Sequence, residues 1–143
     1  MQYVHSKWSI KLIQLIGHPD EIQWDTKRPY SELVTPHGTS EISKYAFATS
    51  PSKDDLVAKN ETGYVDAYSV KKAQAFVEMT HGYGLEVHPW VLRDENKYLA
   101  WTYGQDAYSE VSVFVEQVKV DGFFTDFPQT AANYFKYRAK NAS

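Results

Sequence analysis

The chain has 143 residues, enough for one domain with a hydrophobic core, and its 43% hydrophobic and 23% charged residues are ordinary for a globular domain. The formal net charge of −3 argues against nucleic acid or an anionic membrane as the main partner. No apolar run reaches the ~18 residues of a membrane span. The absence of cysteine excludes disulfides and thiolate metal sites.

The first two predicted units each consist of a strand, a polar loop and a helix. Residues Trp8 to Gly17 form an apolar run, which is typical of a strand buried on both faces. Thr35 and Pro36 predict a helix start, because Thr is a good N-cap and Pro suits the first helical position. The second strand is predicted over Tyr45 to Ser50, and Ser69 is predicted to cap the helix that follows it.

The last two units repeat this order. The third strand is predicted over Leu85 to Leu92, and Asp106 is predicted to cap the next helix. The stretch from Val120 to Ala131 reads as a fourth strand with a polar tip, followed by a helix that opens at Pro128. Strands that alternate with helices predict a parallel sheet with helical crossovers.

The pattern leaves the architecture open between two α/β folds. Long polar loops after the strands are typical of the active-site face of a (β/α) barrel, but four units are half of a barrel of eight. An open flavodoxin-like sheet also fits the length, although no Gly-rich phosphate loop follows the first strand.

Four sequence blocks resemble the glycerophosphodiester phosphodiesterase family. Residues 84–93 read GLEVHPWVLR, similar to a family strand G-L-x-V-H-P-(aromatic)-T-x-R, and residues 120–128 read VDGFFTDFP, similar to V-D-G-x-F-T-D-x-P. Residues 11–17 (KLIQLIG) resemble a strand with L-x-Q-L-I, and residues 40–46 (SEISKYA) resemble the helix and strand that come next. The blocks keep the family's order and cover roughly residues 8–137.

The resemblance implies which part of the family fold the chain represents. The family forms a TIM (β/α)₈ barrel, and these blocks correspond to strands five to eight. We therefore expect residues 1–143 to be a single partial domain, the C-terminal half of that barrel.

The resemblance also implies a chemistry: metal-dependent hydrolysis of glycerophosphodiesters to glycerol 3-phosphate and an alcohol, with Ca²⁺ or Mg²⁺ as the metal. The family's catalytic histidines and metal carboxylates belong to the first four strands, with an H-R-G turn and an E-x-D strand. Neither motif occurs in this sequence. We therefore expect no catalytic residue and no metal ligand in this chain, which would be a fragment inactive on its own.

Five residues are predicted to line a substrate pocket: Gln14, His88, Trp90, Arg93 and Asp126. Gln14 is polar within an apolar strand, which favours an inward, hydrogen-bonded position. Three of the others have a simpler explanation as well: His88 as a histidine satisfied inside the barrel, Asp126 as a helix cap, and Arg93 as a solvated loop charge. Trp90 points either into the barrel mouth or out towards the helices.

One block departs from the family pattern. Where the family reads Y-A-D-G-I-G-P, residues 45–51 read YAFATSP, so the Asp and both glycines are replaced. Glycine at a strand end lets a ligand approach the backbone closely, so the change predicts a narrowed or altered pocket. Lys53, just beyond, is a second cation that could reach a phosphate, or a solvated loop charge.

The expected partners are a small-molecule glycerophosphodiester and either the missing N-terminal half-barrel or a second copy of the chain. The alternative function is a non-catalytic half-barrel that serves as a binding or interaction module, in which self-pairing would cover open sheet edges. Nucleic acid is not an expected partner. The sequence specifies no compartment, although a secreted or periplasmic location suits intact members.

Overall fold

A computed structural model describes residues 2–141. Its strands are β1 (Ile13–Leu15), β2 (Ala48–Ser50) and β3 (Glu86–Val87). Its α-helices are α1 (Gln2–Lys7), α2 (Pro36–Ser43), α3 (Lys53–Leu56), α4 (Ala67–Gly82), α5 (Ala107–Ser112) and α6 (Pro128–Asn141). A π-helical segment, Val113–Val118, continues α5, and short 3₁₀ turns cover Tyr30–Val34, Asn96–Tyr98 and Trp101–Tyr103.

The three strands form a parallel sheet in the order β1-β2-β3, so the predicted α/β class with parallel pairing is confirmed. The strands are shorter than predicted. The first strand was predicted to begin at Trp8, but the strand in the structure is Ile13–Leu15. Trp8 and Ile10 are each 56% exposed. An apolar run extends further than its strand because residues beyond the register have no neighbour to pair with.

The predicted fourth strand is an extended segment rather than a regular strand. Its backbone nevertheless follows β3: Asp121 N donates to Val87 O, Phe124 N to Pro89 O, and Leu92 N to Phe124 O, over 2.9–3.1 Å. A single parallel bridge joins Leu92 to Thr125. Residues 121–125 therefore lie beside β3 in the position of a next strand.

Two of the three predicted helix caps are confirmed. The Thr35 side chain accepts from Gly38 N at the start of α2, and Asp106 accepts from Tyr108 N and Ser109 N at the start of α5. The Ser69 cap was wrong, because Asp66 caps α4 and accepts from Ser69 N. The Ser69 hydroxyl instead donates to Ala58 O and ties the preceding loop to the helix.

The main hydrophobic core lies between the sheet and the helices α4 and α5. Val87 of β3 is fully buried, and it packs in one cluster with Ala73 and Val77 of α4 and with Phe114 and Val118 of the π-helical segment. Fully burying one such side chain is worth about 1.5–3 kcal/mol. This face of the sheet is therefore covered by helices, and the opposite face is the one on which a ligand could bind.

A buried ion pair joins the loop after β2 to α5. Lys53 Nζ lies 2.5 Å from Glu110 Oε1, and the two side chains are 5% and 4% exposed. Lys53 Nζ also donates to Tyr98 O at 3.0 Å. Both sequence readings of Lys53, a phosphate contact and a solvated charge, were therefore wrong, since its charge is used inside the protein.

Removing one partner of this pair should be costly because the other charge would stay buried. We expect Lys53→Met and Glu110→Leu each to lower the free energy of unfolding by about 3–5 kcal/mol. The double variant should cost less than either single change, since buried ion pairs can be replaced by apolar groups. Urea denaturation of the four proteins tests this, and additive losses would contradict it.

The pair should also give the stability a pH dependence. Burial raises the pKa of Glu110 from its ordinary value of 4.5, and the charge of Lys53 opposes that rise. The folded state then holds the Glu110 proton more tightly than the unfolded state, so this contribution to stability is lost as pH rises through the raised pKa. Urea denaturation across that range should show a stability loss in the wild type that is absent in Glu110→Gln.

Candidate substrate-binding site

The carboxyl ends of the parallel strands meet at one edge of the sheet, which is where α/β proteins bind ligands. Gly17 and His18 follow β1, the loop from Pro51 follows β2, and Trp90 to Arg93 follow β3. Thr125 and Asp126 end the extended segment beside Leu92. Four of the five predicted site residues belong to the open face of the sheet or to this edge.

The register divides the sheet into two faces. Ile13, Ala48 and Glu86 are in register along one row, which belongs to the open face together with Leu15, paired with Ser50, and with His88, two residues after Glu86. Gln14, Thr49 and Val87 are in register along the next row, and successive side chains of a strand point to opposite faces. That second row forms the helix face, because Val87 packs against α4.

Gln14 therefore lies on the helix face, away from the other predicted site residues. Its Oε1 accepts from the Tyr45 hydroxyl at 2.8 Å, and its Nε2 donates to Leu15 O. The Gln14 side chain is hydrogen-bonded, as expected, but its partner is Tyr45 on the helix face of the sheet.

Trp90 spans the edge of the sheet from β3 towards β1. Its indole Nε1 donates to Ile16 O at 3.2 Å, and its ring meets the His18 ring edge-on with centroids 6.5 Å apart. It lines an open cavity of about 590 Å³, the mouth cavity, together with Leu15 and Phe124, which are 57% and 44% exposed. Trp90 thus gives the cavity an aromatic wall beside two other apolar side chains.

The His88 imidazole ring contacts Glu86, Phe47 and Gly122. Its Nε2 lies 2.7 Å from Glu86 Oε2, and its ring meets Phe47 edge-on at 6.3 Å. Gly122 lies under the ring, where an added Cβ would come within 3.2 Å of it. These contacts favour the simpler reading of a satisfied histidine, although its side chain remains 20% exposed to the open face.

Arg93 and Asp126 form an ion pair, with Nη1 and Oδ2 3.1 Å apart. Glu95 accepts two further hydrogen bonds from Arg93 Nε and Nη2, at 3.1 and 2.9 Å, and the guanidinium lies over the Tyr98 ring. The hydrogen bond with Glu95 raises the pKa of Arg93 and lowers that of Glu95. Two carboxylates therefore surround one cation, and an anionic ligand must compete with them.

Asp126 accordingly does not act as the cap of α6. The backbone N–H of Phe127 donates to Thr125 Oγ1 at 2.9 Å, so the neighbouring threonine ties down the start of the helix. The Asp126 carboxylate turns to Arg93 instead and is half exposed.

Sequence reasoning missed one polar pair at the same edge. His18 Nδ1 lies 2.7 Å from Asp55 Oδ2, and the side chains are 55% and 26% exposed. His18 follows β1 and Asp55 lies on α3, after β2. The two positions are far apart in sequence and belong to no motif, so only the parallel pairing of β1 with β2 could have suggested the contact.

Comparison with known proteins fits this geometry. A family model described as "Glycerophosphoryl diester phosphodiesterase family" matches residues 1–130. The chain belongs to this family. A glycerophosphodiester phosphodiesterase of Arabidopsis thaliana is 31% identical over 110 residues, 77% of this chain and 28% of that protein.

Two further relatives support the assignment. A second Arabidopsis thaliana glycerophosphodiester phosphodiesterase is 33% identical over 96 residues, which are 67% of this chain and 12% of that protein. One of Haemophilus influenzae is 26% identical over 135 residues, 89% of this chain and 35% of that protein. The chain therefore spans about a third or less of the length of these relatives.

The family's metal does not fit the residues that the structure describes. Among them, no group of three or more His, Asp or Glu side chains could hold an ion. Glu86 is paired with His88, and Glu95 and Asp126 are paired with Arg93. Within the same described range, no helix is long and apolar enough to cross a membrane.

The hydrogen bond of Trp90 should contribute to stability. We expect Trp90→Phe to lower the free energy of unfolding by about 1 kcal/mol, because Ile16 O loses its donor. The control is Trp24→Phe, since Trp24 is 86% exposed and a surface change of this kind costs within about 0.5 kcal/mol. Equal effects of the two changes in urea denaturation would show that the bond contributes nothing.

Proposed function

We propose that the chain forms strands five to eight of a glycerophosphodiester phosphodiesterase barrel and supplies the substrate-binding wall of its active site. The support is the sequential parallel order of β1, β2, β3 and residues 121–125, together with the order of the family blocks. On this proposal, further strands would pair with the outer edges of β1 and of residues 121–125.

The observation that carries the proposal is the position of Arg93. Arg93 follows β3, three residues after Trp90, whose indole lines the mouth cavity, and its side chain is one-third exposed. A guanidinium can bind two phosphate oxygens at once. Trp90 and Phe124 offer apolar surface to the carbon atoms of the glycerol and the alcohol.

Hydrolysis itself would depend on residues outside this set. Neither the H-R-G nor the E-x-D motif occurs in the sequence, and the carboxylates around Arg93 are already paired. In the proposed enzyme the other half of the barrel supplies the proton-transfer histidines and the carboxylates for Ca²⁺ or Mg²⁺. This chain then determines how the phosphodiester is held.

Binding of glycerol 3-phosphate tests the role of Arg93. We expect Arg93→Ala to weaken binding at least about tenfold, because a charge-assisted hydrogen bond is worth ~1.5–3 kcal/mol. Arg93→Lys should recover only part of the affinity, since an ammonium cannot bind two oxygens in the same plane. Isothermal titration calorimetry gives the dissociation constants directly.

Arg138→Ala is the matched control, because Arg138 is also an ion-paired arginine, with Glu116 of the π-helical segment that packs on the helix face of the sheet. It should leave the affinity unchanged. Wild-type protein that does not bind glycerol 3-phosphate, or equal losses in the two alanine variants, would overturn the proposal.

Asp126→Asn separates two roles for the carboxylate. If Asp126 competes with the phosphate for Arg93, removing its charge should tighten glycerol 3-phosphate binding. If Asp126 accepts hydrogen bonds from the glycerol hydroxyls instead, the same change should weaken binding. We expect tighter binding, because the Arg93 guanidinium is already surrounded by two carboxylates. The same calorimetric titration decides between them.

A further inference from the structure

The helix α4 carries a second stripe of side chains besides the one that packs in the core. Ala73 and Val77 belong to the main core cluster and are each 1% exposed. Another set, spaced at i, i+3, i+4 and i+7, follows one side of the helix: Lys72, Ala75, Phe76 and Met79. Phe76 and Met79 are only half-buried, so apolar surface of this second stripe remains open to a ligand.

The second stripe lines a hollow of about 340 Å³, which we call the outer groove. Ile16 and Leu56, which are 3% and 7% exposed, also line it, as do three residues of the 3₁₀ turn Tyr30–Val34. All the lining residues fall between Ile16 and Met79, so one continuous part of the chain forms the groove. Its volume and its mainly apolar lining suit a small molecule, since such pockets hold ~300–1,000 Å³.

Two of the lining residues are charged, Lys72 and Asp55. Asp55 Oδ2 lies 2.7 Å from His18 Nδ1, without the geometry of a hydrogen bond, and is closed off from solvent. Lys72 is exposed, and none of the described residues forms an ion pair or hydrogen bond with its ammonium. An anionic group in the groove is therefore attracted to Lys72 and repelled by the Asp55 carboxylate.

We propose that the outer groove binds an aliphatic monocarboxylate, with its carboxylate at Lys72 and its chain along Phe76 and Met79. Lys72 and Met79 are seven residues apart, which is about 10 Å along a helix that rises ~1.5 Å per residue. Extended octanoate has a similar length. The site does not depend on the proposed function, since it uses neither Arg93 nor a phosphate.

A series of carboxylates tests the length and the polarity of the site. In nitrogen-15 NMR titrations of the wild type at low ionic strength, affinity should rise from butyrate through hexanoate to octanoate. The gain should approach about fourfold per methylene, because burying one methylene is worth ~0.8 kcal/mol. Decanoate should gain little more, since its chain is longer than the stripe. The amide signals of residues 72–79 and 30–34 should shift, and octanol should bind more weakly than octanoate.

Lys72→Gln should weaken octanoate binding several-fold and leave octanol binding unchanged, because only octanoate carries a charge. Lys71→Gln is the matched control, since Lys71 is the neighbouring exposed lysine of α4 and lies outside the lining of the groove. It should change neither affinity. Ala75→Trp should abolish the binding of both ligands by filling the groove, and the exposed position of Ala75 lets α4 accept the larger side chain.

Arg93→Ala is a second control, because the outer groove shares Ile16, Gly17 and Tyr30 with the mouth cavity. It should leave octanoate binding unchanged. A loss of octanoate binding in Arg93→Ala but not in Lys72→Gln would place the carboxylate in the mouth cavity and overturn the inference.

Four other results would also overturn it. Octanoate could fail to bind the wild type, its affinity could equal that of butyrate, octanol could bind as tightly as octanoate, or Lys71→Gln and Lys72→Gln could cause equal losses. Each of these leaves the proposed function standing, because that function is tested by glycerol 3-phosphate binding at Arg93.

Discussion

The register of the parallel sheet is the constraint on which the site depends. It aligns Ile13, Ala48 and Glu86 along one row and Gln14, Thr49 and Val87 along the next, and His88, two residues after Glu86, belongs to the same face as the first row. Because side chains alternate between faces, a slip of one residue would carry Val87 out of the core and His88 into it. The burial of Val87 against α4 therefore determines that the next residue, His88, belongs to the open face. Trp90, two residues further on, then lines the mouth cavity.

Local signals predicted the order of the elements, and most of the failures share one cause. Thr35 and Asp106 were recognised as caps because a cap is defined by its own few neighbours. Gln14 and Lys53 were not placed correctly, because their surroundings come from residues distant in sequence. The helix face of Gln14 follows from the register with β2, and the burial of Lys53 depends on Glu110, in α5. The pair of His18 with Asp55 was missed for the same reason. Asp66 was overlooked in favour of Ser69, although either residue type can cap a helix.

The replaced glycines of the second strand have a structural use. Ala48, Thr49 and Ser50 are almost completely buried, and the Ser50 hydroxyl donates to the carbonyl oxygen of His88. A serine here fastens β2 to the residue that follows β3, at a point where the family pattern has a glycine open to close approach. Phe47 stands where the family pattern has Asp, and its ring packs edge-on against the His88 ring. The Lys11 ammonium lies over the face of the Phe47 ring in a cation–π contact. Whether the pocket is narrowed or altered by these side chains stays a prediction.

On the proposed function, charge pairing limits how an anionic ligand can bind at this edge of the sheet. Arg93 is engaged by Glu95 and Asp126, and His88 by Glu86, so the guanidinium and the imidazole each already have a carboxylate partner. A phosphate can enter only by taking the place of a carboxylate at the guanidinium, and the exposed Asp126 is easier to displace than Glu95, which holds Arg93 by two hydrogen bonds. The readiness with which Asp126 gives way therefore helps to decide how tightly the guanidinium can bind an anion.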